Sequence, residues 1–463
     1  MKKLKWFCRI LCALLVFVLL GNTYFVSAEQ ETNNSILNGC NGLDAVNPLL
    51  GTNAHSNLQS AILYEVNTQT LLYAYNPDER MEPSSLAKLV TAIIAIEQAD
   101  LSEMAVADQL TLDVLPWDAV SVNIQGGEQM SVQDLLYCML VGSANDAAVV
   151  VATHMDGSMA KFAERMNAFA ASIGCTNTNF TNSHGLYDPD QYTTARDMAK
   201  VLTYASQNEA FAKIIATKDY SVAPTNMKGE RNLSSNNYLI NRSVMSLYYD
   251  SRVTGGRTGV ASDGTRCLAA TAQKGNMNLV SVVMGCRNVY GSGGSISTFG
   301  GFPETTALLD KGFQGLRAAQ IFSKNQVLKQ YPLAGSDSNL YVGVHDAFNS
   351  VLPNGIETDD LRYVYHESGT LAAPIEKGTP WGTVDVYYGS VCIASAPIFA
   401  LNKVTVLENK LVTEREQAEV SRGSIGIILA IIAAVFVILL LLLRYSKKFR
   451  RIVGRKRRKR RQW

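Results

Sequence analysis

The sequence predicts an α+β domain, an antiparallel sheet carrying a cluster of helices, followed by a small all-β domain and one transmembrane helix. Three observations point there. Apolar residues recur at strand period near residues 60–76 and again at 252–285, with helical period between, so both ends of that segment feed one sheet. After Phe313 the pattern changes to short alternating runs (LYVGV, SVLP, LRYVYH, GTVDVYY, VCIASAPIFA) broken by Gly, Pro, Asp and Asn. Ile425–Leu443 is a run of 19 residues without a charge; at about 1.5 Å per residue it matches a hydrocarbon core of roughly 30 Å.

Taken in order, Lys2, Lys3, Lys5 and Arg9 precede the apolar run Ile10–Leu20 and the small residues Val26-Ser27-Ala28. Residues 1–28 therefore read as a cleaved secretory signal rather than an uncleaved anchor. Residues 29–45 are polar and Asn-rich, a flexible entry. SAILYEV and LLYAYN alternate around Asn67-Thr68-Gln69-Thr70 and read as a hairpin. Pro83-Ser84 halts the chain before a helix from about Ser85 to Gln98. Leu86, Leu89, Val90, Ile93, Ile94 and Ile96, with alanines between, make that helix apolar on all sides, the mark of full burial. Helical patterns follow at 131–141, 146–154, 160–172 and 194–206, strands at 252–258, 265–272 and 278–285, and a helix near 303–312. The first domain spans 46–313 and the β-rich domain 314–404. The charged residues 405–423 read as a stalk leading to a membrane helix at 424–443.

Charge separates the ends from the middle. Residues 444–463 hold 12 basic side chains and residues 1–28 hold 4, neither with an acid, which leaves 26 basic against 40 acidic side chains in 29–423, a net of −14. An acidic body with a basic tail is not the footprint of a nucleic-acid binder, and no nucleic acid is expected. The positive-inside rule places the tail 444–463 in the cytoplasm and the acidic body outside. Cys8 and Cys12 leave with the signal. The six cysteines that remain show no CxxC or metal spacing. Cys267 and Cys286 flank a hairpin that would set them on neighbouring strands, which leaves a disulfide open. No metal or organic cofactor is implied.

Lys88 carries the most chemical information. A lysine inside an all-apolar helix is costly to desolvate. Ser85, three positions earlier, lies on the same helical face. Burial depresses a lysine pKa, so a neutral Lys88 amine would accept the Ser85 hydroxyl proton, and the N–H groups of the helix start would face the developing oxyanion. The bland alternative is a lysine snorkelling to the surface with Ser85 as an N-cap. S-x-x-K alone is not specific, because Ser158-Met159-Ala160-Lys161 repeats it at the start of an amphipathic helix. S-x-N triplets begin at Ser121, Ser143, Ser206, Ser234, Ser235 and Ser323, whereas Arg257-Thr258-Gly259 is the one basic-T-G triplet. Order and context carry the weight: S-x-x-K on a buried helix, S-x-N between helices, then basic-T-G on a strand.

These elements resemble a family. PSSLAKLVTAI is similar to the PASLTKLMTAL of D-alanyl-D-alanine carboxypeptidases, the low-molecular-mass penicillin-binding proteins. GSANDAA resembles their SGNDAA, NSHGLYDPDQYTTARDMA their following segment, and VTGGRTGVASDGTRCLAATA their VDGIKTGYTDEAGYCLVATA. LLDKGF resembles the exit into their β-rich domain, and the likeness covers roughly residues 45–405. The resemblance implies a penicillin-binding/β-lactamase-like catalytic domain. It implies Ser85 as the acylated nucleophile, Lys88 as its base and Ser143 as proton relay to the leaving amine. Asn145 would bond the substrate amide, Arg257 and Thr258 the terminal carboxylate, and Gly259 completes the third motif. The N–H groups of Ser85 and Val260 would form the oxyanion hole. His184 and Gly185 match a loop near the site, and Arg287 matches a basic position with a substrate role. The implied partners are a peptidoglycan stem peptide ending in D-Ala-D-Ala, β-lactams, and a membrane held through the C-terminal helix.

The sequence departs from the family at Arg257, where lysine is usual, and in a C-terminal run that should span rather than lie on the membrane. Arginine keeps the charge and a bidentate grip but closes any proton relay through that position. Two further readings stand beside the carboxypeptidase: a non-catalytic penicillin-binding sensor, and a wall-spacing protein whose β domain does the work. A β-lactamase is disfavoured because no E-x-x-L-N loop lies between the second and third motifs.

Overall fold

The computed structural model describes residues 42–45, 47–52, 57–406, 425–442 and 444. The expected signal peptide, most of the entry and stalk, and the tail past residue 444 lie outside the described residues.

Strands β1 (Ser60–Glu65) and β2 (Thr70–Tyr75) form the expected hairpin. The helices follow: α1 (Ala87–Gln98), α2 (Val132–Leu140), α3 (Asn145–Asp156), α4 (Met159–Ser172), α5 (Ala195–Ala205) and α6 (Glu209–Ile215). Strands β3 (Val253–Val260), β4 (Arg266–Lys274) and β5 (Met277–Cys286) then return to the sheet, and α7 (Phe302–Gly315) closes this part. The sheet is antiparallel with order β2-β1-β5-β4-β3. N-terminal and C-terminal strands meet at its centre, where Ile62 pairs Val282.

Because successive side chains on a strand point to opposite faces, each strand serves two cores. Ile62, Leu71, Val280, Val282 and Met284 pack toward the α1–α6 cluster. Leu63, Leu72, Leu279 and Val283 pack against Leu308, Leu309 and Phe313 of α7. Both faces are covered, which is why β5 reads as an almost unbroken apolar run. The same alternation settles the cysteines. Cys267 belongs to the helix-side core and Cys286 to the α7-side core, so adjacent strands carry them on opposite faces and both are free thiols.

Three differences from the sequence reading have local causes. The first helix begins with a 3-10 turn, Ser84–Leu86, and becomes α-helical at Ala87. Helix α6 is additional, a seven-residue segment too short for its period to stand out and capped by Asn208, whose side chain accepts from the Ala210 and Phe211 N–H groups. Two short antiparallel strand pairs also appear, Met104–Val106 with Gln129–Ser131 and Asp219–Val222 with Arg231–Ser234.

Between α7 and residue 406 the chain is mainly β. Leu316–Phe322 pairs Phe348–Pro353, and Arg362–Glu367, Pro380–Tyr388 and Val391–Ala400 pair in succession. By compactness the chain falls into two units. The first holds the α+β part with 342–369 and 380–401; the second gathers 329–341, 370–379 and the described residues from 402 on. Within the second, Ile375 bridges Val404, Ser336 bridges Val406, and Ile425–Leu442 is one continuous apolar helix of mean hydropathy 3.5. That length, about 27 Å at 1.5 Å per residue, is enough to cross a membrane.

Helix α1 is the hub of the helical cluster, and Ile93 on it is fully buried. Ile93→Ala is expected to lower unfolding free energy by about 2–5 kcal/mol in denaturant titration; a loss under about 1 kcal/mol would mean the core closes around the gap.

Candidate active site

The site starts from a constrained turn. Pro83 leads into Ser84, whose φ of 47° is a left-handed conformation that costs a non-glycine residue about 1–3 kcal/mol. Ser84 Oγ donates to Val260 O at 2.6 Å, tying the turn to the end of β3. Glycine is required on two sides of it. A Cβ on Gly185, φ 82°, would lie 1.8 Å from Ser84 O, and one on Gly259 would meet Cys267 Sγ at 2.6 Å and Ser84 Oγ at 3.0 Å. The loop and the strand thus press directly on the turn that presents Ser85.

Lys88 is fully buried one helical turn on, and its amine has three neighbours: Asn145 Oδ1 at 2.7 Å, His184 O at 2.5 Å and Ser85 Oγ at 3.2 Å. No carboxylate is among them. Burial drives the Lys88 pKa well below its usual value, and the Arg257 charge pushes it further the same way, against a smaller opposing pull from Asp146. A neutral amine has two N–H donors and one lone pair. Two of its neighbours are acceptors only, so the lone pair is left for the Ser85 hydroxyl. Asn145 cannot be turned over, because its Nδ2 donates to Val120 O at 3.0 Å. Neither bland reading survives: Lys88 does not reach the surface, and neither helix start has a side-chain cap bond from Ser85. In the second S-x-x-K the Ser158 side chain does cap, accepting from Lys161 N, and Lys161 is exposed.

Ser143 sits in the break between α2 and α3 with φ 62°. Its Oγ accepts from Arg257 Nη2, and Arg257 Nη1 donates to Leu140 O at 2.9 Å. Asp146, buried in the first turn of α3, accepts from Ser121 Oγ at 2.5 Å and from the N–H groups of Val122 and Ile124 at 3.3 and 2.9 Å. It thereby holds the loop whose Val120 carbonyl orients Asn145.

These groups border a cleft of about 510 Å³ lined by Ser85, Ser143, Asn145, Gly185, Thr258, Gly259 and Val260 among others. Three expected residues differ in placement. Arg257 is 1% exposed and turned into the wall, away from the cleft; burial lowers its pKa to about 10, so it stays protonated at neutral pH. His184 contributes its backbone carbonyl. Its ring accepts from Leu186 N at 3.1 Å, and burial lowers its pKa to about 3. Arg287 lies on the surface outside the lining, its backbone paired with Asn57.

Asn236, Tyr238, Asp146 and Arg266 were not singled out from sequence. Arg266 alone had a readable signal: in the alternating series Arg266, Leu268, Ala270, Ala272 the other three are core.

A serine poised on a buried amine, in a cleft floored by the basic-T-G strand, defines a serine-type acyl-transferring hydrolase of the penicillin-binding class. The sequence comparisons narrow this. The profile described as D-alanyl-D-alanine carboxypeptidase matches residues 50–288, and that of the penicillin-binding protein 5 C-terminal domain matches 317–406. The chain belongs to the D-alanyl-D-alanine carboxypeptidase family and is a serine carboxypeptidase. It is 26% identical over 346 residues to the D-alanyl-D-alanine carboxypeptidase DacF of Bacillus subtilis, covering 74% of this chain and 84% of that one. It is 29% identical over 356 residues to the DacA of Haemophilus influenzae, covering 75% and 85%. Among solved structures, penicillin-binding protein 5 of H. influenzae superposes with TM-score 0.62 at 28% identity, covering 76% of this chain and 99% of that one.

Gly185→Ala is expected to displace the Ser84–Ser85 turn and slow labelling by a fluorescent penicillin at least about 100-fold. An unchanged labelling rate would show that the loop can retreat without cost.

Proposed function

We propose that this protein is a membrane-anchored D-Ala-D-Ala carboxypeptidase that removes the terminal D-alanine from peptidoglycan stem peptides through an ester on Ser85, and that penicillins acylate the same serine. The observation that carries the reading is the Lys88 amine, fully buried between two carbonyl-type acceptors with Ser85 Oγ as its third neighbour.

Ser85 Oγ attacks the carbonyl carbon of the penultimate D-alanine while its proton passes to Lys88 Nζ. The carbonyl oxygen takes up negative charge facing the N–H groups of Ser85 and Val260. The C–N bond then breaks, and the departing amine receives its proton through Ser143. Arg257 is a positioning residue here. By donating to Ser143 Oγ it leaves the Ser143 hydroxyl proton free to point at the leaving group, and its fixed charge favours the neutral form of Lys88. Thr258 meets the substrate's terminal carboxylate and Asn145 its amide. Water then attacks the ester carbonyl, giving a proton to Lys88, which passes it to Ser85 Oγ as the acyl–oxygen bond breaks and so returns to its neutral form.

The apolar helix Ile425–Leu442 is suited to anchoring the protein in the cell membrane. With the basic tail inside, the catalytic part faces outward.

Labelling with fluorescent penicillin followed by mass spectrometry is expected to place the adduct on Ser85, and a D-Ala-D-Ala peptide should release free D-alanine. A labelled protein that releases none would instead be a sensor, and an adduct elsewhere would sink the assignment.

The base must be unprotonated, so acylation should fall about tenfold per pH unit below the Lys88 pKa. Arg257→Gln removes a cation that depresses that pKa, so the acid limb should move to higher pH, whereas Arg257→Lys should leave it in place. A limb that moves to lower pH in Arg257→Gln would contradict the electrostatics. Lys88→Arg, permanently protonated, should lose about 10³-fold in acylation rate.

A further inference from the structure

A hydrolase that acts only at a chain end must tell a free carboxylate from one more peptide bond. With Arg257 drawn into the wall by Leu140 O and Ser143 Oγ, the cation for that task has to come from elsewhere. Among the described residues lining the cleft, Arg266 is the one cationic side chain. It opens β4 directly across from Val260, one strand away from the segment that faces Ser85.

Its setting is that of a prepared ligand rather than a surface charge. The alternation of β4 would send Arg266 toward the core with Leu268 and Ala270, but the register against β5 shifts between Arg266 and Leu268, and Gly285 opposite has φ 64°. A bulge of this kind re-aims a side chain at the end of a sheet. The guanidinium is then fixed on two sides: Nε donates to Asn288 Oδ1 at 2.9 Å, and the plane lies over Phe299, 4.6 Å from the ring centroid. The terminal Nη groups make no hydrogen bond or ion pair with the described residues. The two acids of the lining do not neutralise it; Glu82 is bound to Ser262 instead. Beside it stand Asn236, whose Oδ1 accepts from Thr258 Oγ1 at 2.9 Å, and Tyr238. A planar fork held at one edge and one face, with its two outer prongs open, fits a carboxylate and has already lost most of its rotamer freedom.

We propose that Arg266 is the specificity-determining cation of this cleft and takes the free carboxylate of the peptide's C-terminal residue. The proposal rests on the carboxypeptidase reading, deepens it, and moves the carboxylate-holding charge from Arg257 to Arg266.

The test compares an N-acylated D-Ala-D-Ala peptide with its C-terminal amide, for the intact protein, R266Q and R266K, reading kcat/KM from released amine. R266Q is expected to cut the preference for the acid over the amide by roughly 10- to 100-fold, the range of one charged hydrogen-bond pair. The loss should appear in KM, with kcat little changed, and R266K should restore part of the preference. An unchanged acid-to-amide ratio overturns the proposal. So does an equal loss on both ligands, which marks a structural role, and so does a loss confined to peptides whose third residue carries a side-chain carboxylate. Calorimetric binding of the same two ligands to S85A, with and without R266Q, reads the contact without turnover. Failure of the carboxypeptidase reading shows as no D-alanine released by the intact protein, while failure of this proposal shows as equal effects of R266Q on acid and amide binding.

Discussion

The architecture turns on an amine shut off from solvent, with no carboxylate among its described hydrogen-bonding neighbours. A lysine is tolerable at the centre of a helical cluster only if its proton can leave, and around Lys88 the remaining N–H bonds are met by Asn145 Oδ1 and His184 O rather than by a carboxylate. Had an acid stood at that distance, it would have pulled the pKa up and kept the amine charged. The acid that does pull in that direction, Asp146, is instead engaged by Ser121, Val122 and Ile124. The stability consequence has a definite sign. Above its depressed folded pKa the native state releases the Lys88 proton that the unfolded chain still binds, so this residue makes stability rise with pH from that folded value up to the ordinary lysine value of 10.5. At neutral pH the site destabilises the protein, and the surrounding apolar packing of α1 offsets it.

The second constraint is the close approach of three segments at Ser84. A glycine loop, a glycine on β3 and a left-handed serine meet where no side chain would fit. That crowding ties the turn to the end of β3 through Ser84 Oγ and Val260 O and leaves Ser85 as the partly exposed residue between the buried Ser84 and Leu86. Strain here is sustained by rigid neighbours, a sheet with both faces covered and helices joined through one core.

Two arginines divide electrostatic work that a single flexible lysine could share. A guanidinium is planar, long and permanently charged, so once Arg257 is matched to Leu140 O and Ser143 Oγ it cannot also swing into the cleft. Its charge still acts at a distance on Lys88. On the proposed reading the contact function passes to Arg266 on the next strand, where a bulge and an aromatic ring hold a second guanidinium open.

Much of this was legible in the chain itself. Periodicity determined the helical cluster, the sheet drawn from two distant segments and the apolar C-terminal helix, because burial imposes a period on any strand or helix that has an inside. Lys88 stood out because a charge in an all-apolar helix breaks that rule, and Ser85 followed from helical spacing. The tertiary structure alone decided which way the long side chains turn. Arg257 points inward, His184 serves through its carbonyl, Arg287 stays outside and Arg266 enters the cleft. Motif spacing locates a Cα, but a guanidinium sits several bonds from it. Where it goes depends on carbonyls and rings that distant parts of the chain bring alongside, and that information exists only once the chain has folded.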